Sequence, residues 1–398
     1  MSNASVKELA TKYVMNTYGE RDIALVRGEG CYVYDADGKR YLDFLGGLGV
    51  NCLGHCHPKV VDTLKRQAET LLHVSNLYYI ETQARAAQLL VENSFADKVF
   101  FCNSGAEANE GVLKLIRKHA KDNVDPNRTD IIVFKDSFHG RTLATVTATR
   151  QPRYHEGFAP MMPGFREAVF NDLDSVKAII DDKTAGILVE PIQGEGGINN
   201  PEPGFLEGLR ELADENQLLL AFDEVHTGCG RTGSFMGYQT FGVEPDIIAL
   251  AKSLGGGVPI GAFMARASLA KVLGPGTHAA TFGGNPLVTA VCETVLTTIL
   301  EEDLAGNAKR MGEYFAQSLL KLGEKYGNVA GVRGKGLILG IQFKEDPGPV
   351  TQDVIDSGLL TYKMANNTLR FHPPLNVESG HIDEAVGILD ASLAKHAG

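Results

Sequence analysis

The sequence has no tryptophan, few cysteines, no long apolar run and no excess of basic charge. Six cysteines in 398 residues are too sparse for a disulfide scaffold and point to a reducing compartment, the cytoplasm. No stretch reaches the ~18 unbroken apolar residues of a membrane span, and Met1 to Leu9 has no apolar core of a signal peptide. Lys plus Arg total 38 against 49 Asp plus Glu, a formal charge of −11, which repels phosphate backbones and argues against non-specific nucleic-acid binding. Apolar residues at 43% and charged residues at 22% lie near globular averages, which excludes a disordered or fibrous chain. What the sequence has in excess is glycine, 45 residues of 398 against an average usage of roughly 7%.

From residue 98 to about 265, short apolar runs alternate with helical patterns. The runs Val99–Cys102, Ile131–Phe134, Ala144–Thr147, Ala185–Val189, Leu218–Phe222 and Ile247–Leu250 are expected to be strands. Ala106–His119, Leu173–Asp181 and Gly204–Asn216 are expected to be helices between them. That alternation predicts an α/β fold, a large central domain (51–285) around a mostly parallel sheet with ligands beyond the strand carboxyl ends. Residues 1–50 read as a helix and a three-strand meander turning at Asp37-Gly38; 286–398 read as two long helices, strands near 329–343 and 369–371, and a closing helix. Together they are expected to form a smaller α+β domain.

Two motifs invite readings that their context rejects. Gly228-Cys-Gly-Arg-Thr-Gly233 matches G-x-G-x-x-G, but five residues separate it from the apolar run, and neither a helix start nor an acid at the required spacing follows. A nicotinamide-dependent dehydrogenase is therefore disfavoured. Asn51-Cys-Leu-Gly-His-Cys-His57 crowds two Cys and two His together, yet no second ligand pair follows, and Pro58 marks a loop entering a helix. No metal is expected.

Three other segments carry chemistry. Asn103-Ser-Gly-Ala-Glu-Ala-Asn109 follows a strand and opens a helix, where free N–H groups and the Ser104 hydroxyl can meet an anion; an ordinary Ser104/Glu107 capping box is the alternative. Leu218 to His226 places Asp223 and Glu224 at the carboxyl end of a buried strand, where an acid needs a partner. Asp246 to Gly261 puts Lys252 just past another such strand, suited to a lowered pKa and imine chemistry. Singly, each of the last two is also explained by a surface ion pair. Together they supply the phosphate cradle, pyridinium partner and imine-forming amine that pyridoxal 5′-phosphate requires.

At this point the chain resembles the class III (ornithine-type) pyridoxal-phosphate aminotransferases over almost its whole length. The likeness is carried by Leu53-Gly-His-Cys-His-Pro58, Phe100 to Asn109, Phe138-His-Gly-Arg-Thr142, Glu190-Pro-Ile-Gln-Gly-Glu-Gly-Gly197, Phe222-Asp-Glu-Val225, Ala251-Lys-Ser-Leu-Gly-Gly-Gly257, Thr281-Phe-Gly-Gly-Asn-Pro286 and Val332 to Leu337. The resemblance implies the type I aminotransferase fold, with Lys252 as the imine-forming lysine and Asp223 keeping the pyridine nitrogen protonated. Ser104, Gly105 and Ala106 would bind the phosphate, Phe138 and Val225 would flank the ring, and Thr281 would reach the phosphate of a neighbouring subunit in a homodimer with shared sites. Arg141 would bind the α-carboxylate of an ω-amino donor and Arg370 that of glutamate, with Glu195 masking Arg370 in turn. His226 stands where most members have Gln beside the cofactor's phenolic oxygen, and Ala280 where a hydroxyl residue is common near the donor. The implied reaction moves the δ-amino group of N2-acetylornithine to 2-oxoglutarate; succinylornithine, ornithine and 4-aminobutyrate are donors of the same chemistry.

Overall fold

The computed structural model describes residues 1–364 and 366–396. Its chain opens with the helix Asn3–Tyr13 and an antiparallel meander of β1 (Leu25–Glu29), β2 (Tyr32–Asp35) and β3 (Arg40–Asp43). Seven strands follow in one sheet: β4 (Lys98–Cys102), β5 (Asp130–Phe134), β6 (Phe165–Ala168), β7 (Thr184–Val189), β8 (Leu219–Asp223), β9 (Ile247–Leu250) and β10 (Gly261–Ala265). Their order is β4-β10-β9-β8-β7-β5-β6, and β10 alone runs against its neighbours. Because β10 is antiparallel to both β9 and β4, the carboxyl ends of β4, β8 and β9 share one edge.

The strand sequences explain why the sheet is sandwiched. β7, β9 and β10 are buried at every residue, and alternate residues enter two different cores. Ile131, Leu188, Ala221 and Ala249 pack with Val112, Leu115 and Ile116 of the helix Gly105–Asn123. Ile132, Val189, Phe222 and Ile248 pack with Phe205 and Leu209 of the helix Phe205–Glu215. Period-two strands that are apolar on both faces require both layers.

The remaining chain adds helices Pro286–Glu301 and Leu304–Lys325, then β11 (Val329–Lys335), β12 (Ile338–Phe343), the helix Gly348–Asp356, β13 (Leu359–Leu360), β14 (Tyr362–Lys363), β15 (Thr368–Phe371) and the helix Ser379–Lys395. β13 joins β3 in parallel, so segments from both ends of the chain share a sheet. β11, β12, β15 and β14 form a third sheet that carries Arg370.

One expected strand is a helix. Ala144–Thr147 lies in the helix Leu143–Ala148, whose start is fixed by the Thr145 hydroxyl accepting the Thr142 N–H at 3.1 Å. The β-branched Thr-Val-Thr pattern suggested a strand, and local capping with tertiary burial overrides that propensity. β6 and β10 were not expected from the sequence: Phe-Arg-Glu-Ala is short and charged, and Gly-Ala-Phe-Met-Ala lacks β-branched residues.

The glycine run 228–233 is a structural knot. Cys229, Gly230 and Gly233 have φ of 53°, 89° and 102°, a left-handed path that glycine eases, and it points Arg231 inward. Arg231 is 1% exposed and donates from Nη1 to the carbonyls of Leu337 and Pro373, tying the segment after β8 to the C-terminal part of the chain. Burial pulls its pKa down to about 10. The Asn51–His57 cluster is likewise dispersed: Cys52 donates to the Ser253 carbonyl, His55 pairs with Asp43 at 2.7 Å, Cys56 is exposed, and Pro58 begins a helix. Arg231→Ala removes both hydrogen bonds and leaves a void, and is expected to cost about 3 kcal/mol in a denaturant titration. A change under about 0.5 kcal/mol, the range of an ordinary surface substitution, would show that the knot does not hold these segments together.

Candidate active site

A cavity of ≈ 470 Å³ opens at the shared edge, lined by residues that follow β4, β8 and β9. After β4, Ser104 caps the helix Gly105–Asn123 by accepting the Glu107 N–H at 3.2 Å. Glu107 reaches back not to Ser104 but to Asn103, accepting both its backbone and side-chain N–H groups at 2.8 Å. The N–H groups of Gly105 and Ala106, at the first two helical positions, have no intrahelical acceptor and border the cavity. Gly105 cannot be larger, because a Cβ there would lie 2.9 Å from Val225 Cγ2.

The two acids ending β8 face different surroundings. Asp223 is 3% exposed and lines the cavity; its Oδ2 accepts from Asn109 Nδ2 at 2.7 Å and, with the proton on Nδ1, from His139 at 2.8 Å, while Oδ1 accepts the Val225 N–H at 3.0 Å. Glu224 turns away to accept the N–H groups of Gly237 and Tyr238, and burial pushes its pKa up to about 7. Asn109 sits four residues after Gly105, one helical turn along the same face, which is why the helix whose start borders the cavity also supplies a donor to Asp223.

Lys252, three residues past the β9 residue Ala249, enters the cavity from a backbone with φ of 45°. That conformation costs a non-glycine residue about 1–2 kcal/mol, strain of the kind concentrated at functional sites. Burial lowers the Lys252 pKa from 10.5 to about 8, opposed by Glu195 and Asp223 and assisted by Arg370. Phe138 lines the same cavity beside Arg141, whose guanidinium lies 5.5 Å from the Phe138 ring centroid and 3.7 Å from that of Tyr154. Glu190, fully buried, accepts the N–H groups of Phe138 at 2.8 Å and Gly194 at 3.0 Å, and burial raises its pKa.

Arg370 comes from β15. It is 0% exposed, and its Nη1 donates to Glu195 Oε1 at 2.6 Å while Nε and Nη2 have no partner among the described residues. Burial pulls the Glu195 pKa up, but Arg370 and Lys252 together outweigh it and hold the carboxyl below its ordinary value. Val225 and His226 also line the cavity. Ala280 and Thr281 do not: the Ala280 carbonyl accepts from Asn76 Nδ2 at 3.2 Å, and Thr281 is exposed. Asn109, His139, Glu190 and Tyr154 were not singled out from the sequence. The first three stand inside motifs named above, and the helical spacing 105 to 109 was the readable signal for Asn109.

The family model for class-III aminotransferases matches residues 13–393. The chain belongs to that family. This aminotransferase is 48% identical over 385 residues to the acetylornithine aminotransferase of Caldanaerobacter subterraneus subsp. tengcongensis, covering 96% of this chain and 98% of that one. It is 44% identical over 390 residues to the succinylornithine transaminase of Photorhabdus laumondii subsp. laumondii, covering 97% of each. The solved ornithine aminotransferase of Toxoplasma gondii ME49 superposes with a TM-score of 0.96 at 34% identity, over 100% of this chain and 96% of that one. The enzyme is therefore a transaminase of the type I fold whose cofactor is pyridoxal 5′-phosphate. The cavity suits that group: unpaired amides at a helix start for a phosphate, a buried carboxylate held by three donors, and a desolvated lysine.

If desolvation sets the Lys252 amine, its labelling in the cofactor-free aminotransferase by an amine-selective acylating reagent should rise about tenfold per pH unit and level near pH 8. Labelling that still climbs at pH 10, as for an ordinary lysine, would contradict this reading.

Proposed function

We infer that this aminotransferase moves the δ-amino group of N2-acetylornithine to 2-oxoglutarate, giving N-acetylglutamate 5-semialdehyde and glutamate, a step of arginine biosynthesis. The observation that carries the reading is the buried Arg370 paired with Glu195 at 2.6 Å, together with an exposed, ring-stacked Arg141 that lines the cavity. Two arginines, one of them masked, suit two substrates that present their carboxylates differently.

In this reading the N–H groups of Gly105 and Ala106, with the Ser104 hydroxyl, hold the cofactor phosphate. Asp223 faces the pyridine nitrogen, and Phe138 and Val225 flank the ring. When bound, the cofactor supplies an electron sink for charge that develops on the substrate carbon. Lys252 would hold the cofactor through its amine, and its Nζ would take the proton from the carbon that bears the reacting amine. Arg141 binds the α-carboxylate of the acetylated donor while Glu195 neutralises Arg370. For glutamate and 2-oxoglutarate, Glu195 withdraws and Arg370 pairs with the α-carboxylate. Arg370 is confined by burial, so specificity is set by which carboxylate reaches it.

Thr281 and Ala280 are assigned to a neighbouring subunit's site in a homodimer. Their position outside this chain's own cavity supports that, as do the exposed apolar side chains of Phe282, next to Thr281, and of Leu77 and Tyr78, which follow the Asn76 that donates to the Ala280 carbonyl. The cytoplasm is taken as the compartment from the sparse, unpaired cysteines. No described helix is long and apolar enough to cross a membrane.

Values of kcat/KM for acetylornithine, succinylornithine, ornithine and 4-aminobutyrate, measured on the wild type and on Glu195→Ala, test the reading. The wild type should prefer acetylornithine by about tenfold or more, and Glu195→Ala should gain reactivity toward α-amines. A wild-type preference for another donor would reassign the substrate, and unchanged regiospecificity in the variant would remove Glu195 from the switch.

A further inference from the structure

A second pocket, of ≈ 380 Å³, opens at the other end of β4 from the candidate active site and shares none of its lining residues. Its walls are apolar: Phe100 of β4, Phe263 of β10, Leu115 of the helix Gly105–Asn123, and Ala267, Ala270 and Leu273 after β10. The floor is well packed. The Phe100 and Phe263 rings stack with centroids 5.1 Å apart and planes 25° apart, and Phe263 lies so close to Gly111 that a Cβ there would fall 2.2 Å from its Cε1. The rim carries charge of one sign. Lys98 and Lys271 border the pocket from exposed positions, no carboxylate lines it, and neither ammonium is in an ion pair among the described residues. Asp97, beside Lys98 in the chain, is engaged elsewhere and accepts the Ala267 N–H at 2.9 Å.

Apolar walls beneath two unpaired ammonium groups match a ligand of the complementary pattern, an apolar tail with one anionic head. An inorganic anion would leave the walls in water, and a neutral hydrocarbon would leave both lysines unused. The volume lies toward the lower end of small-ligand cavities, about 300–1,000 Å³, which limits the tail to roughly six to ten carbons. We propose that this pocket binds a monocarboxylate with a short apolar tail, the tail against Phe100 and Phe263 and the carboxylate paired with Lys98 and Lys271 at the rim. The site stands apart from the transamination chemistry and does not rest on the choice of amino donor. It does adjoin the segment that leads to Thr281: His278 lies 4.7 Å from Phe100, on the same aromatic pair, and its Nδ1 accepts from Lys114 Nζ at 2.9 Å.

The test titrates octanoate into the cofactor-loaded enzyme by calorimetry, with glutarate at saturation so that the arginines of the catalytic cavity are already engaged. Octanoate should bind at one site per chain. Octylammonium, the same tail with the opposite charge, should bind about tenfold more weakly or not at all, and the double variant Lys98→Ala, Lys271→Ala should weaken octanoate about tenfold. Ala267→Trp, at an exposed position on the wall, should fill the pocket and abolish octanoate binding while the transamination rate is unchanged. No saturable octanoate binding would overturn the proposal, whether the pocket stays empty or a second copy of the chain covers it. Equal affinity for octylammonium, an unchanged Kd in the double lysine variant, or undiminished binding to Ala267→Trp would each overturn it as well.

Discussion

The ladder between β8 and β9 is the contact on which the site depends. Ala221 pairs with Ile247, Phe222 with Ile248 and Asp223 with Ala249, so two parallel strands end side by side. A one-residue slip would exchange the faces of every side chain and turn Asp223 away from the cavity. The register is held by burial on both sides, because Phe222 and Ile248 enter one core while Ala221 and Ala249 enter the other. The chemistry of Lys252 and the donors around Asp223 are consequences of that alignment.

Burial then does opposite things to neighbouring groups. It lowers the amine of Lys252 and raises the carboxyls of Glu190 and Glu224, because in each case it disfavours the charged form. Glu195 escapes that trend because a guanidinium lies 2.6 Å away. One desolvated edge therefore holds an amine with a lowered pKa and a carboxylate kept ionised. Arg370 carries part of both effects, which couples the third sheet to the chemistry at the main one.

Most of the architecture was legible because buried parallel strands are continuous apolar runs, and because the chemistry-bearing residues follow those runs directly: Ser104 after Cys102, Asp223 after Phe222, Lys252 after Leu250. What escaped was tertiary. Thr145 and Val146 look like strand residues until Thr142 caps them into a helix. β10 has little intrinsic strand preference and is made by its neighbours on both sides. His139 and Asn109 have no chemistry of their own to flag them; their role exists only because two loops and a helix face converge on Asp223. The run 228–233 resembles a dinucleotide motif yet serves to bury Arg231. Its positive φ angles are the physical content behind the letters.

If the register of β8 and β9 decides which lysine bonds the cofactor, that lysine is Lys252. The direct measurement is borohydride reduction of the enzyme loaded with pyridoxal 5′-phosphate, followed by proteolysis and mass spectrometry of the modified peptide. One reduced pyridoxyl group per chain, on Lys252, is expected. Attachment at any other lysine, or no stable incorporation, would contradict it.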